Sequence, residues 1–232
     1  MAGRLYGIGV GPGDPELITL KALRILQAVP VVAYQSADEH SSVARAVIAP
    51  HLAGNQIEVG FHFPRAQNPE LAKPLYDQAI APITEYLEQG LDVAVICMGD
   101  PMFYGSFMYL FTRLSDRFHT EIVPGISSPM ASAAALGVPL SYRNDIFSVL
   151  SATLPIEVLE TQLLNADAAA IIKLSKHFHK VRSLLEKLNL LDHAQYIERA
   201  TMSDQKIIAI ADVDAESVPY FSLILVPTKI QF

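Results

Sequence analysis

Short apolar runs alternate with longer amphipathic segments through the first half of the chain. Residues 5–10, 31–34, 56–61, 91–97 and 120–123 are apolar-rich stretches of strand length and read as buried parallel strands. Between them apolar positions recur at helical spacing. One helix is expected from Asp14-Pro15-Glu16 to about Val29, with only Glu16, Lys21, Arg24 and Gln27 left for solvent. A second covers about 43–49 behind a Ser41 or Ser42 cap, a third runs from Pro69-Glu70 to a stop at Gly90, and a fourth covers about 107–114. Strand and helix in alternation with short loops imply a parallel sheet with right-handed crossovers.

Pro124-Gly125 breaks this pattern, and Ile126-Ser127-Ser128-Pro129 opens an alanine-rich helix to Leu136 with Ser127 as its cap. Downstream, strands near 146–150, 169–174, 194–199, 206–211 and 220–226 are separated by only two clear helices, about 157–164 and 175–188. The last three strands leave no room for helices between them, so they must be antiparallel or mixed. The expected organisation is α/β in two domains, 1–120 with a parallel sheet and 121–232 with a mixed sheet, joined near 118–125.

Two loops stand out. The first strand ends in Gly9-Val10-Gly11-Pro12-Gly13-Asp14-Pro15, and the fourth in Met98-Gly99-Asp100-Pro101-Met102-Phe103-Tyr104-Gly105-Ser106. Gly-Asp-Pro after a buried strand is efficient helix-start chemistry, so one copy carries little, and a short helix is expected from Asp100-Pro101. Two copies predict two loops facing one crevice, because ligands in open α/β sheets sit beyond the carboxyl ends of strands. The dinucleotide fingerprint fails: whichever glycines are taken first, Pro12 or Asp14 replaces the third, and Tyr34-Gln35 stand where an acidic residue is needed. Asp14 also puts a carboxylate where a helix start would hold a phosphate.

Composition narrows the classes. The 232 residues are 51% hydrophobic and 18% charged, enough for a substantial core. No apolar run is long enough to span a bilayer, and the first residues run directly into a strand, so neither a membrane partner nor a signal peptide is expected. A net charge of −7 argues against nucleic acid. The single Cys97, at a strand end without a basic neighbour, reads as a buried unreactive thiol, and a cytoplasmic setting follows as the default. His177 and His179 lie on different helix faces, and His40, His51 and His62 lack ligand spacing, so no protein-bound metal is expected.

The two glycine loops, with Pro124-Gly125-Ile126-Ser127-Ser128 and Glu198-Arg199-Ala200-Thr201, resemble in order the four signatures of the tetrapyrrole methylases. Phe63-Pro64, the Met-Phe-Tyr-Gly-Ser-Phe run after Asp100-Pro101 and Ser151-Ala152-Thr153-Leu154-Pro155 look like the branch that methylates C20 of precorrin-2 or its cobalt form, cobalt-factor II. The resemblance implies two α/β domains, each with a five-stranded sheet, with a trough between them, and a homodimer. It implies S-adenosylmethionine as methyl donor, leaving S-adenosylhomocysteine. Pro12, Met98, Gly99, Asp100, Phe103, Ser127, Ser128, Leu174, Ala200 and Thr201 are the residues it assigns to the cofactor; Ala200 stands where the family often has glycine.

Transfer of a methyl group to a ring carbon needs alignment above all, and a weak base for the departing proton. Asp100 and Tyr104 are the candidates for that base, with Asp100 equally a cap or cofactor anchor. A tetrapyrrole carries several carboxylates, so basic residues should face it. No acid lies between Asp167 and Glu186, where Lys173, Lys176, His177, His179, Lys180 and Arg182 gather. Lys176 and Lys180 lead this set, with Arg143, Tyr104 and Ser106 as further substrate contacts and Arg65 and Lys73 as weaker ones. The alternatives are methylation of another ring position or of uroporphyrinogen III, a nucleotide-binding oxidoreductase, and a non-catalytic module that keeps the pocket.

Overall fold

A computed structural model describes residues 1–36, 42–62 and 69–228, without the side chains of residues 69–73 and 75. Expectations that fall on His40, Ser41, Phe63, Pro64, Arg65 and the Lys73 side chain lie outside the described residues. The chain divides into two compact units, Met1–Ser127 and Ser128–Phe232. Among the described residues, no helix is long and apolar enough to cross a membrane.

The first unit is a parallel sheet of β1 (Leu5–Gly9), β2 (Val31–Gln35), β3 (Ile57–Phe61), β4 (Val93–Cys97) and β5 (Thr120–Val123), in the order β3-β2-β4-β1-β5. Helices α1 (Leu20–Ala28), α2 (Val43–Ile48), α3 (Pro69–Glu88) and α4 (Phe107–Leu114) make the crossovers. From β1 the chain steps one way across the sheet through α1 and α2, then returns the other way through α3 and α4. Right-handed crossovers in opposite directions put the helix pairs on opposite faces. The core divides accordingly. Ala22, Leu26, Val47 and Ile48 pack with Ile8, Val32 and Ile96 on one face. Ile83, Leu87, Phe107 and Leu110 pack with Leu5, Ala33 and Val95 on the other. The direction changes between β4 and β1, so their carboxyl ends form the topological switch point.

Because β5 pairs with β1, this unit runs on to Ser127, past the boundary expected at 120. The helix expected from Asp14 is broken. Pro15–Leu17 form a single 3₁₀ turn, Ile18 and Thr19 are extended, and α1 restarts behind the Thr19 hydroxyl, which accepts from Ala22 N at 3.3 Å. Ile18, in the extended link, still packs against the core beside α1.

The second unit opens with α5 (Ser128–Leu136). Its sheet contains β6 (Phe147–Ser151), β7 (Ala168–Ile172), β8 (Gln195–Glu198), β9 (Lys206–Ile208) and β10 (Ser222–Val226), in the order β6-β7-β10-β8-β9. Only β6–β7 is parallel; β10 runs antiparallel to both β7 and β8, and β9 antiparallel to β8. The carboxyl ends of β6, β7 and β8 therefore share one edge of the sheet. Helices α6 (Ile156–Asn165) and α7 (Phe178–Lys187) cover one face through Leu159, Leu163, Phe178 and Val181. Ala133 of α5 packs on the other, against Ala170, Ile197 and Leu225.

Three carboxyl ends crowd together in the first unit. A Cβ on Gly9 would lie 2.5 Å from Gly99 O and 2.6 Å from Gly125 N, and one on Gly125 would lie 2.1 Å from Gly99 O. These are backbone atoms that cannot swing aside. Gly60 on β3 faces only ordinary contacts, the nearest at 3.8 Å. Gly125→Ala is expected to destabilise the chain by several kcal/mol, on the order of 3, whereas Gly60→Ala is neutral or stabilising by a few tenths. Paired thermal melts check this; equal melting temperatures for the two variants would contradict the crowding.

Candidate active site

The loops after β1 and β4 are joined through their backbones. Gly11 N donates to Gly99 O at 3.3 Å and Gly99 N to Gly11 O at 2.7 Å, an isolated antiparallel bridge just beyond the parallel strands. Both glycines are left-handed, at φ 80° and 66°, a conformation that costs other residues about 1–2 kcal/mol. The two loops expected to face one crevice are in direct backbone contact.

The two aspartates cap turns. Asp14 Oδ1 accepts from Glu16 N at 2.9 Å. Asp100 spans two loops: Oδ1 accepts from Met102 N at 2.8 Å and Oδ2 from Gly125 N at 3.0 Å. The short helix expected from Asp100 does not form. Its carboxylate closes a local turn, Tyr104 is left-handed at φ 55°, and α4 begins only after Ser106. With its two oxygens on amides of different loops, Asp100 ties the β4 loop to the β5 loop.

Pro12 is buried in the first loop, and Met98 leans on the core beside α1. Met102, Phe103 and Tyr104 project at 43%, 36% and 46% exposure, with the Phe103 and Tyr104 rings edge to face at 5.1 Å. Ile126 is also exposed, and Ser127 is half-buried beside it. An apolar, accessible rim therefore surrounds polar backbone at the switch point. Ser106 turns inward, with its hydroxyl on the Cys97 thiol.

In the second unit the assigned residues gather at the shared edge of β6, β7 and β8. Leu174 follows β7, fully buried, between left-handed Lys173 (φ 59°) and Ser175 (φ 29°). Ala200 follows β8 between left-handed Arg199 (φ 47°) and Thr201 (φ 68°). Such backbone persists only where its surroundings over-determine it, and it concentrates at functional sites. Here the surroundings are visible. Arg199 N donates to Phe221 O at 2.7 Å and Thr201 N to Gln205 Oε1 at 2.6 Å. Arg199 Nε lies 2.7 Å from Asp204 Oδ2, an ion pair whose N–H is not aligned on the oxygen. Tyr196, wholly buried, donates its hydroxyl to Glu198 at 2.8 Å, and burial first and the Glu198 carboxylate second push that phenol well up. Sequence reasoning missed Tyr196 and Gln205. Tyr196 lies two residues before Glu198 on a strand, on the same face, and that spacing was the available signal.

Ser128 is the exposed first residue of α5. Lys176 and Lys180 follow β7 at the same sheet edge, Lys176 exposed and Lys180 half-buried. Arg143 does not join them. It lies in a turn before β6, stacked over Tyr142 at 5.0 Å. Asp145 of that turn accepts from Thr228, beyond the carboxyl end of the antiparallel β10, so Arg143 belongs to the opposite edge. Among the described residues, no group of three or more His, Cys, Asp or Glu could hold a metal ion.

Cys97 is buried, and burial above all, with the Asp100 carboxylate nearby, pushes its thiol up to about 11 against the opposing pull of the Phe107 N–H and Ser106 hydroxyl. The thiolate is the reactive form, so at pH 8 iodoacetamide should modify the native chain roughly 100-fold more slowly than an exposed thiol. Mass spectrometry with and without denaturant checks this; rapid native labelling would contradict it.

Comparison with known proteins identifies the family. The family model for Tetrapyrrole (Corrin/Porphyrin) Methylases matches residues 4–214. The cobalamin biosynthesis protein CobIJ of Mycobacterium tuberculosis is 42% identical over 233 residues, which is 97% of this chain and 46% of that protein; this chain therefore spans about half the length of that relative. The precorrin-2 C(20)-methyltransferase of a Sinorhizobium species is 37% identical, over 97% of this chain and 95% of its own length. Among solved structures, the uroporphyrin-III C-methyl transferase of Thermus thermophilus complexed with S-adenyl homocysteine is 25% identical and superposes with a TM-score of 0.68, over 96% of this chain and 97% of that one. A family model covering nearly the whole chain, together with these relatives, makes this protein a member of the tetrapyrrole methylase family.

Proposed function

We propose that this chain methylates C20 of precorrin-2 or its cobalt form, with S-adenosylmethionine as donor, in cobalamin biosynthesis. The observation that carries the reading is the pair of turns at the switch point, closed by Asp14 and Asp100 and locked together by the Gly11–Gly99 bridge. Asp14 places a carboxylate on the very amide where a pyrophosphate would sit. That disfavours a dinucleotide, and with it an oxidoreductase. A donor with a sulfonium cation, an apolar base and an amino acid end meets no such conflict. The exposed Phe103 and the backbone of Met98–Gly99 suit such a group, as do the Ser127 and Ser128 hydroxyls. Pro12, Leu174, Ala200 and Thr201 are assigned to the same group by the family resemblance. The near full-length similarity to a precorrin-2 C(20)-methyltransferase supports the ring position.

S-adenosylmethionine supplies a methyl carbon from its sulfur to C20, leaving S-adenosylhomocysteine and a ring proton to be lost. The chain's own contribution is positioning. Asp100 fixes the Met102 and Gly125 amides, and so the shape of the β4 loop. Tyr104, on the exposed rim, is the residue we assign to the departing proton, its hydroxyl relaying that proton to solvent by giving up its own or ordering the water that takes it. Tyr104 also faces the substrate in this reading, whereas Ser106, expected as a substrate contact, turns its hydroxyl onto the buried Cys97 thiol instead. The resemblance further suggests a cytoplasmic homodimer, which size-exclusion chromatography with light scattering would test.

S-adenosylhomocysteine should raise the melting temperature and NAD should not. Turnover should add one methyl group, located at C20 by NMR. Stabilisation by NAD alone, or a methyl group elsewhere on the ring, would overturn the reading. Asp100→Ala should weaken S-adenosylmethionine binding by about tenfold to a hundredfold, the worth of hydrogen bonds to a charged group, as read by calorimetry. Tyr104→Phe should leave that affinity intact and lower kcat by roughly 10². If Asp100→Ala bound the donor normally yet was inactive, the clamp assignment would fall and a base assignment would replace it.

A further inference from the structure

The turn after β6 and the start of α7 are tied by one bond that the proposed function does not use. Lys180 Nζ donates to Leu154 O at 2.6 Å, across 26 residues of sequence. The turn is compact: Leu154 N donates to Ser151 O at 3.0 Å, and the Ser151 and Thr153 hydroxyls lie 2.8 Å apart. That hydroxyl pair uses one hydrogen and leaves the other. Lys180 spends one of its three N–H bonds on Leu154 and keeps two.

His177 and Lys176 lie three and four residues before Lys180. The His177 imidazolium is disfavoured by burial first, then by the Lys180 and Lys176 charges. Elsewhere the described basic side chains are commonly matched: Lys21, Arg45, Arg113, Arg117, Lys187 and Arg199 all make ion pairs with acids. Lys176 and Lys180 have no such acid among the described residues. In a chain of net charge −7, an uncompensated pair of ammonium groups beside spare hydroxyl and imidazole donors is a local exception. It also sits near the start of a helix, where cations oppose the dipole and cost stability.

We propose that Lys176, His177 and Lys180, with the Ser151–Thr153 turn, form a carboxylate-binding subsite that grips an acidic side arm of the tetrapyrrole. Lys180 is the shared member: its bond to Leu154 O sets the turn, and its remaining N–H groups face the anion with Lys176. A carboxylate there gains charge-assisted hydrogen bonds and relieves the repulsion between the lysines. The subsite rests on the tetrapyrrole reading but not on the methyl donor.

Uroporphyrin III, a stable polycarboxylate ring, is the probe, followed by fluorescence quenching without S-adenosylmethionine. Lys176→Glu and Lys180→Met should each weaken its binding by about tenfold or more and raise KM for the tetrapyrrole, leaving affinity for S-adenosylmethionine unchanged. Arg24→Glu, the same charge change on α1 of the first unit, should alter none of these. In NMR titrations the probe should raise the pKa of His177, which a purely structural lysine pair would not do. Unaltered probe affinity in both lysine variants, or an unmoved His177 pKa on saturation, would discard the subsite. Lysine-dependent probe binding by a chain that fails to bind S-adenosylmethionine would support the subsite and overturn the donor assignment alone.

Discussion

The first unit depends on how closely three strand ends can approach. Gly9, Gly99 and Gly125 meet backbone to backbone, at distances that leave no room for a Cβ on Gly9 or Gly125. That contact lets Gly11 and Gly99 exchange two hydrogen bonds beyond the sheet. It also lets one carboxylate, Asp100, reach amides on two different loops. Buried backbone groups must find partners, and here the partners are neighbouring loops rather than a continuing strand. Paired polar backbone results, with Met102, Phe103, Tyr104 and Ile126 exposed on the same loops. Its position follows from topology, since the sheet reverses direction between β4 and β1.

The second unit reaches a comparable end by other means. Its sheet is mixed, and the edge formed by β6, β7 and β8 is shaped by left-handed non-glycine residues rather than by glycines. Strain at Arg199 and Thr201 is held by bonds to Phe221 and Gln205 and by an ion pair to Asp204. Ala200 stands where the family often has glycine, yet it carries no left-handed strain itself, because its neighbours take it. A methyl side chain is therefore compatible with the turn, and it packs against the core beside α5.

Much of this was legible in the sequence. Apolar-rich runs located the strands of the described residues to within a few residues, most plainly at β4, β7 and β10, which are buried throughout and leave an unbroken signature. The repeated Gly-Asp-Pro located the two bridged loops. What misled was the chemistry of aspartate and proline, which starts helices and closes turns alike. At Asp14 the carboxylate closes a single 3₁₀ turn and a second cap, Thr19, starts α1; at Asp100 one carboxylate oxygen is taken by Gly125 of another loop, and Gly99 is held left-handed in the bridge to Gly11. Long-range pairs were hidden for a similar reason. Nothing local marks Lys180 as a partner of Leu154, or Arg143 as a resident of the opposite edge. Spacing did carry the Tyr196–Glu198 pair, one strand period apart.

The bridged turns after β1 and β4 are the proposed seat of the methyl donor. A crystal structure of the chain grown with S-adenosylhomocysteine tests this most directly. Difference density lying against Gly11, Gly99 and Phe103 is the predicted result. Ligand density away from both turns, with the Gly11–Gly99 bridge undisturbed, would contradict it.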